Sequence, residues 1–297
     1  MPHRGRRLLA LVLGAAVIAA AVGIPVAIVV SRGGVSSTVT PPAASATPNP
    51  SQRAAAAQAS ALYAEAMTAA ERSAGFAYKA TSSGDGSTLL TVTGVAGQDD
   101  GSQVFDETTG YGDEQFSLVL APDQTVYFQG NAAAIEDQLG VSAAGAPALA
   151  GEWVSAVIGD GPYKDMEVGI TVGSQLSEVI LDPTSTEAAT GSDGAPVTRI
   201  LGSVPATSGN TAGTGRLDIA TGSDLPATYE VAYSGAATQT ETFSAWGTAP
   251  SLTVPSTAVA WSTLTTSEPP DGYGSGVMPS AAPAPTPTPT PAPRVST

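Results

Sequence analysis

Few side chains in this chain of 297 residues can do chemistry, and their types decide which chemistry is open. Acidic pairs stand at Asp99-Asp100, Asp106-Glu107 and Asp113-Glu114, and Asp160 and Asp165 make a looser pair. Paired carboxylates are what glycoside hydrolysis uses, one as acid and the other as nucleophile or base. Calcium needs about six to eight oxygen ligands, and none of these spacings matches an EF-hand loop. The clusters therefore read first as solvated loops. The string SGNTAGTG, from Ser208 to Gly215, lacks the lysine and helix start of a phosphate loop and reads as a hairpin loop.

What is missing narrows the field further. There is no cysteine, so thiol nucleophiles, thiolate metal sites and disulfides are excluded. The sole histidine is His3, and the only lysines are Lys79 and Lys164. Ser-His triads, histidine bases and histidine–zinc sites fall together. A carboxylate pair or a Ser-Lys arrangement is all that remains for catalysis. The chain reads as a non-enzyme with no metal site and no cofactor.

The elements that would position any site begin with LLALVLGAAVIAAAVGIPVAIVV, from Leu8 to Val30. The run carries no charge and is long enough, at about 1.5 Å per residue, to cross a hydrocarbon core of about 30 Å. Arg4, Arg6 and Arg7 precede it and Arg32 follows, which predicts a cytoplasmic N-terminus at residues 1–7 and an exported remainder. The alternative is a cleaved signal peptide. Ala19-Ala20-Ala21 is overrun by the apolar stretch, however, and Ala44-Ser45-Ala46 lies far beyond it. The segment reads as a transmembrane anchor of a cell-membrane protein whose main domain is extracytoplasmic.

Residues 1–32 hold four of the 11 basic residues and none of the 26 acidic ones, so the remainder carries a net charge of −19. Such a surface repels nucleic acid and anionic headgroups, because both are bound through Lys and Arg. Residues 31–50 are rich in Ser, Thr, Pro and Gly and read as a linker. From residue 267 the chain turns into PPDGYGSG and then APAPTPTPTPAP, a polyproline-type spacer or disordered tail. Between them, residues 51–266 are long enough for one domain with its own core.

Within that domain, Asn49 and Pro50 predict a helix start, and no breaker follows until Gly75. Leu62, Ala66, Ala69 and Ala70, with Tyr63 and Met67, form its apolar stripe. After Gly75 the period changes to two, and residues 114–129 read as a hairpin about Pro122-Asp123. From Asn131 to Asp182 the pattern predicts short helices, including one around Trp153 and one over TVGSQLSEVILD capped by Thr171 or Ser174. Strands resume in PVTRILGSV, GTGRLDIATG, LPATYEVAYSG and TQTETFSAWG. Helix, strands, helical insert and strands together predict an α+β fold, a curved antiparallel sheet covered by helices. Trp153 and Trp246, each beside glycines, read as structural aromatics.

Three phrases carry a resemblance. TVYFQGNAAAIEDQLGVSAAGAPALAGEWVSAV, GTGRLDIATGSDLPATYEV and ETFSAWGTAPSLTVP resemble turn and strand phrases of exported actinobacterial proteins, over roughly residues 54–262. The chain is similar to the LppX/LprG group of mycobacterial envelope lipoproteins and, more distantly, to LolA. It departs from that group in lacking the lipidated cysteine, and Leu8–Val30 takes over anchoring. The resemblance implies a half-open β-barrel wrapped around helices, with an apolar cavity for acyl chains. The apolar strand faces would line it: Phe76, Tyr78, Leu90, Val92, Phe116 and Leu118 from the first half, then Val126, Phe128, Leu217, Ile219, Tyr229 and Val231. The same residues would serve equally as a packed core.

The expected function is therefore a membrane-anchored extracytoplasmic protein that binds or shuttles a lipid or other amphiphile without chemistry. Its alternative is a cell-surface structural or protein-interaction module with a filled core. A glycan-binding or glycan-active domain ranks third.

Overall fold

The computed structural model describes residues 49–264, except 85–86, 110–111, 168, 207–210 and 235–236. The predicted anchor at Leu8–Val30, most of the linker and the proline-rich tail lie outside the described residues. Among the described residues, no helix is long and apolar enough to cross a membrane.

The first helix, α1 (Pro50–Glu71), starts where its sequence dictates. The Asn49 side chain accepts from the Gln52 backbone while the Gln52 side chain accepts from the Asn49 backbone, a reciprocal capping box ahead of Pro50. Its inward face buries Ala59, Ala66 and Ala70 and half-buries Leu62, Tyr63 and Met67. Small residues on that face let the helix lie close on the sheet beneath it.

Two meanders build the sheet. The first runs β1 (Gly75–Gly84), β2 (Ser87–Gly97), β3 (Gly101–Thr109), β4 (Gly112–Leu120), β5 (Val126–Gly130) and β6 (Val154–Ala156). The second runs β7 (Asp182–Thr190), β8 (Pro196–Val204), β9 (Gly213–Ala220), β10 (Pro226–Tyr233) and β11 (Thr238–Ser244). β11 pairs with β1 and so joins the meanders, and β12 (Val259–Ala260) adds a short parallel edge to β6. Among the described residues the result is α+β with one curved, open, twelve-stranded sheet, antiparallel everywhere except at β12, whose edge strands, β7 and β12, do not pair with each other.

Between the meanders lie α2 (Ala132–Leu139), α3 (Ala146–Leu149), α4 (Tyr163–Met166) and α5 (Val172–Leu176). The residues around Trp153 differ from expectation: Val154–Ala156 is a strand, because it completes the ladder against β5 instead of coiling. Helix α5 is capped by Thr171, whose side chain accepts from the Ser174 backbone. It ends at Leu176, short of the expected stop at Asp182-Pro183. Strand β7 carries no apolar alternation, since its Ser, Thr and Ala residues form an edge, and periodicity does not reveal it.

The two faces of the sheet differ in chemistry. The inner face is apolar and covered by helices. The outer face carries cross-strand rows of Thr, Ser and charged residues. Arg199 and Asp218 face each other there in a bidentate pair at 2.7 and 2.9 Å, and Arg216 meets Glu230 at 2.6 Å.

Candidate functional site

Strand register brings the predicted lining residues together on the inner face. Phe76 and Tyr78 of β1 lie beside Ala96 and Gly94 of β2, and Val92 of β2 lies beside Phe105 of β3. Phe105 pairs with Phe116 of β4, and Leu118 pairs with Phe128 of β5, with Val126 at the next inward position. On the other side of β1, Tyr229 of β10 lies beside Leu217 of β9, with Val231 and Ile219 on the same face. Leu90 continues the β2 row. All the predicted lining residues, with Ala96 and Phe105, belong to one apolar cluster and none is more than 3% exposed.

Ring geometry shows how closely that cluster is packed. Phe105, Phe116 and Phe128 stack in a row with centroids 4.3 and 5.4 Å apart. Trp246 packs at 4.4 Å on Phe76, and its indole N–H donates to the Pro226 carbonyl, which fits the structural role expected of it. Trp153 contributes its backbone carbonyl, which accepts from Val259 and holds β12 in place.

A polar cluster lies within this apolar interior, on positions that share the inward parity of the strands. Gln103 of β3 donates to the Tyr78 hydroxyl at 2.6 Å, and that hydroxyl donates to the Gly169 carbonyl at 3.1 Å. Two glycines make the approach possible. A Cβ at Gly94 would stand 2.5 Å from the Tyr78 ring. Gly169 has a φ of +76°, and a Cβ there would crowd the Gln103 amide at 2.9 Å. From α5, Gln175 donates to Glu241 of β11 at 2.6 Å. Glu241 and Gln175 have no exposure, and Glu178 is 7% exposed.

Burial pushes the Glu241 carboxyl up to about 8, against which the Gln175 bond works and to which Glu178 adds. Burial likewise lifts Glu178 to about 7. Both groups hold their protons in neutral solution for part or most of the time. The Tyr78 and Tyr229 hydroxyls are pushed upward, first of all by burial, and stay neutral.

The expected acidic loops divide. Asp99 is exposed and solvated, whereas Glu114 is 4% exposed, accepts from Gln138 at 3.0 Å and is raised by burial. It departs from the solvated-loop expectation because its strand parity turns it inward. Among the described residues, no group of three or more His, Cys, Asp or Glu gathers as a metal site. No pattern of motif type points to Gln103, Gln175, Glu178 or Glu241. The available signal was parity: in TQTETFS the threonines alternate outward while Gln239, Glu241 and Phe243 face inward.

On the outer face, an open depression of about 640 Å³ lies between β3, β4 and β5, lined among others by Val104, Asp106, Gln115, Ser117, Gln129 and Asn131. Two of its amides serve local structure. Gln129 donates to the Gly151 carbonyl, and Asn131 donates to the Asp113 carbonyl while capping α2 at Ala134.

No family model matches the chain, and no curated protein sequence matches it. Among solved structures, the lipoprotein LppX of Mycobacterium tuberculosis is similar at 16% identity and a TM-score of 0.40, over 64% of this chain and 96% of that one. LprF from Mycobacterium bovis is similar at 15% identity and 0.42, over 68% and 98%. A DUF1329 family protein from Desulfovibrio piger is similar at 7% identity and 0.29, over 67% and 95%. Likeness at these levels says nothing of ligand or activity.

Proposed function

We propose that this chain is a membrane-anchored extracytoplasmic binding protein that holds an amphiphile, its acyl chains against the inner face of the sheet, and performs no chemistry. The observation that carries the reading is the inner face itself. It is a continuous apolar surface from Ile219 to Val126, and between the meanders its cover consists of short helices of four to eight residues. Covers of this kind open at lower free energy than the sheet they lie on. Anchoring by Leu8–Val30 would keep the domain beside the bilayer from which an amphiphile comes. The buried carboxyls support binding over catalysis, since they face amides and tyrosines in an interior closed to water.

A second reading has its own support. Every predicted lining residue is at most 3% exposed, which is the state of a filled core and of a surface-displayed interaction module. One experiment separates the two. The full chain is purified without delipidation, the domain is released by proteolysis in the linker, and its mass is measured under native conditions. A reproducible added mass that disappears on organic extraction supports the amphiphile. A bare polypeptide mass, unchanged after soaking with lipid extract, leaves the interaction module.

A further inference from the structure

The segment from Gly169 to Leu181, which carries α5, packs Ile170, Val172, Leu176, Val179 and Leu181 into the apolar cluster and crosses the inner face of the sheet on few polar ties. Among the described residues, its backbone makes one bridge to the sheet, Thr171 to Gly97. The other ties are side chains. Tyr78 of β1 donates to the Gly169 carbonyl, Tyr63 of α1 to the Val179 carbonyl and Tyr229 of β10 to the Ile180 carbonyl. Gln175 donates to Glu241 from the segment's own side.

The tie at Glu241 differs from the rest because it is incompletely satisfied. Oε2 of Glu241, Oε1 of Gln175, Oε2 of Glu178 and Oε1 of Gln103 are all buried without a partner. Every one is an acceptor when the carboxyls are ionised; the Gln239 amide N–H, two positions from Glu241 on the same face, is a buried donor that bonds to none of them, so they still lack a donor. A protonated carboxyl supplies one. A carboxylic acid facing a primary amide can pair at two points, the amide N–H on the acid carbonyl and the acid O–H on the amide oxygen. A carboxylate in the same place keeps one bond and leaves a charge in an apolar interior.

We propose that Glu241 is a proton-operated latch: as a neutral acid it pairs with Gln175 and holds the 169–181 segment on the sheet, and as a carboxylate it releases that segment and uncovers the face around Tyr78, Tyr229 and Val231. The latch deepens the amphiphile reading by naming what admits the ligand, and its ligand role rests on that reading. The groups that face Glu241 are Gln175 and Glu178 from the segment, Tyr229 from β10 and Tyr78 from β1. Tyr63 of α1 and Tyr233 act on Tyr229, and Asp182 acts on Tyr63. None of these is basic, so nothing among them compensates a negative charge at Glu241. The raised carboxyl of Glu241, at about 8 against an ordinary 4.5, sets the working range. A released segment exposes the group to water and to its ordinary value. Glu241 therefore multiplies opening by about tenfold per pH unit from pH 5 to 8, an effect that levels off above, and Glu178, raised to about 7 and exposed by the same release, multiplies it again up to about pH 7.

The natural chain has no cysteine, so a single introduced thiol reports cleanly. Leu176→Cys places one on buried α5, Ser177→Cys beside it gives an exposed standard for the thiol's own titration, and Ile135→Cys on α2 is a buried reporter outside the segment. Alkylation rates are measured on membranes holding the full chain, from pH 5 to 8, with Glu178→Gln present throughout so that Glu241 is the one raised carboxyl the release exposes. The Leu176→Cys rate, relative to Ser177→Cys, should rise by about tenfold per unit. The rise should vanish when Glu241→Gln is added, and Ile135→Cys should stay protected throughout. Gln175→Met, which removes the amide partner, should raise the Leu176→Cys rate already at pH 5. The latch is overturned by a rise that persists with Glu241→Gln, or by one that Ile135→Cys shares, which is global unfolding. Suppression of the rise at pH 8 by potassium or calcium also overturns it, since the carboxyls would then hold a cation. A failed latch leaves the mass measurement at fixed pH untouched, and a bare mass beside a working latch removes only the amphiphile.

Discussion

Truncating Phe116 to alanine asks whether the inner face is closed in the unliganded protein. Its ring is 3% exposed and lies between Phe105 and Phe128, with centroids 4.3 and 5.4 Å away. Removing a buried phenylalanine from a packed core costs about 3–5 kcal/mol, combining lost transfer free energy with the cavity left behind. Two aromatic neighbours place the expected value in the upper part of that range. Val104, on the adjacent strand but facing outward and 55% exposed, is the control, and Val104→Ala should stay within about 0.5 kcal/mol. Urea unfolding of the full chain in lipid nanodiscs, followed by fluorescence of Trp153, Trp246 and Trp261, reads both. With a denaturant slope of about 2–3 kcal/mol per molar, the Phe116→Ala midpoint falls by more than about 1 M while the slope holds. If Phe116→Ala cost less than about 1 kcal/mol and behaved like Val104→Ala, the packing argument would fail. The inner face would then be hollow before any ligand arrived.

Three further outcomes follow from the same geometry. Gly94→Ala drives a methyl against the Tyr78 ring and away from it the bonds to Gln103 and Gly169, and should cost about 1–3 kcal/mol by thermal melting. Arg199→Ala strands the carboxylate of Asp218, which is 4% exposed, and should cost about 3 kcal/mol or more, whereas Arg216→Ala breaks a pair half open to water and should cost about 0–1 kcal/mol. Global stability should fall as pH rises from about 4.5 to 8. The folded state holds the Glu241 proton to about 8 and Glu178 to about 7, while the unfolded chain releases both near 4.5. The folded state thus binds more protons in that window, and Glu241 removes about 1.4 kcal/mol per pH unit up to about pH 8 while Glu178 removes a similar amount per unit up to about pH 7. Glu241→Gln should flatten the fall in an equilibrium unfolding series, and an unchanged slope would count against the raised carboxyl.

Much of the fold was legible because its signals are local and periodic. Asn49-Pro50 states where α1 begins, and the alternation through Phe76-Tyr78-Ala80 and Phe116-Leu118-Leu120 states which residues turn inward. What was hidden depends on partners distant in sequence. Val154–Ala156 is a strand only because β5 offers it a ladder, and Ser, Thr and Ala suffice for β7 because β8 and α1 cover it on one side only. Propensity yields to tertiary pairing in both.

The candidate site failed to show for a related reason. A search for chemistry looks for acids close together in sequence, and it found Asp99-Asp100 and Asp106-Glu107. Glu241 stands 63 positions from Glu178 and 66 from Gln175, and only the return of β11 to β1 brings them together. Its inward parity with Phe243 was readable, but an inward polar residue in a strand has two meanings. It can mark an edge where water reaches the face, or a buried group with a partner elsewhere. Sequence cannot choose between them without the helix that closes over the strand. The structure chooses the second, and the same closure that satisfies one oxygen of Glu241 leaves the other without a donor unless it carries its own proton.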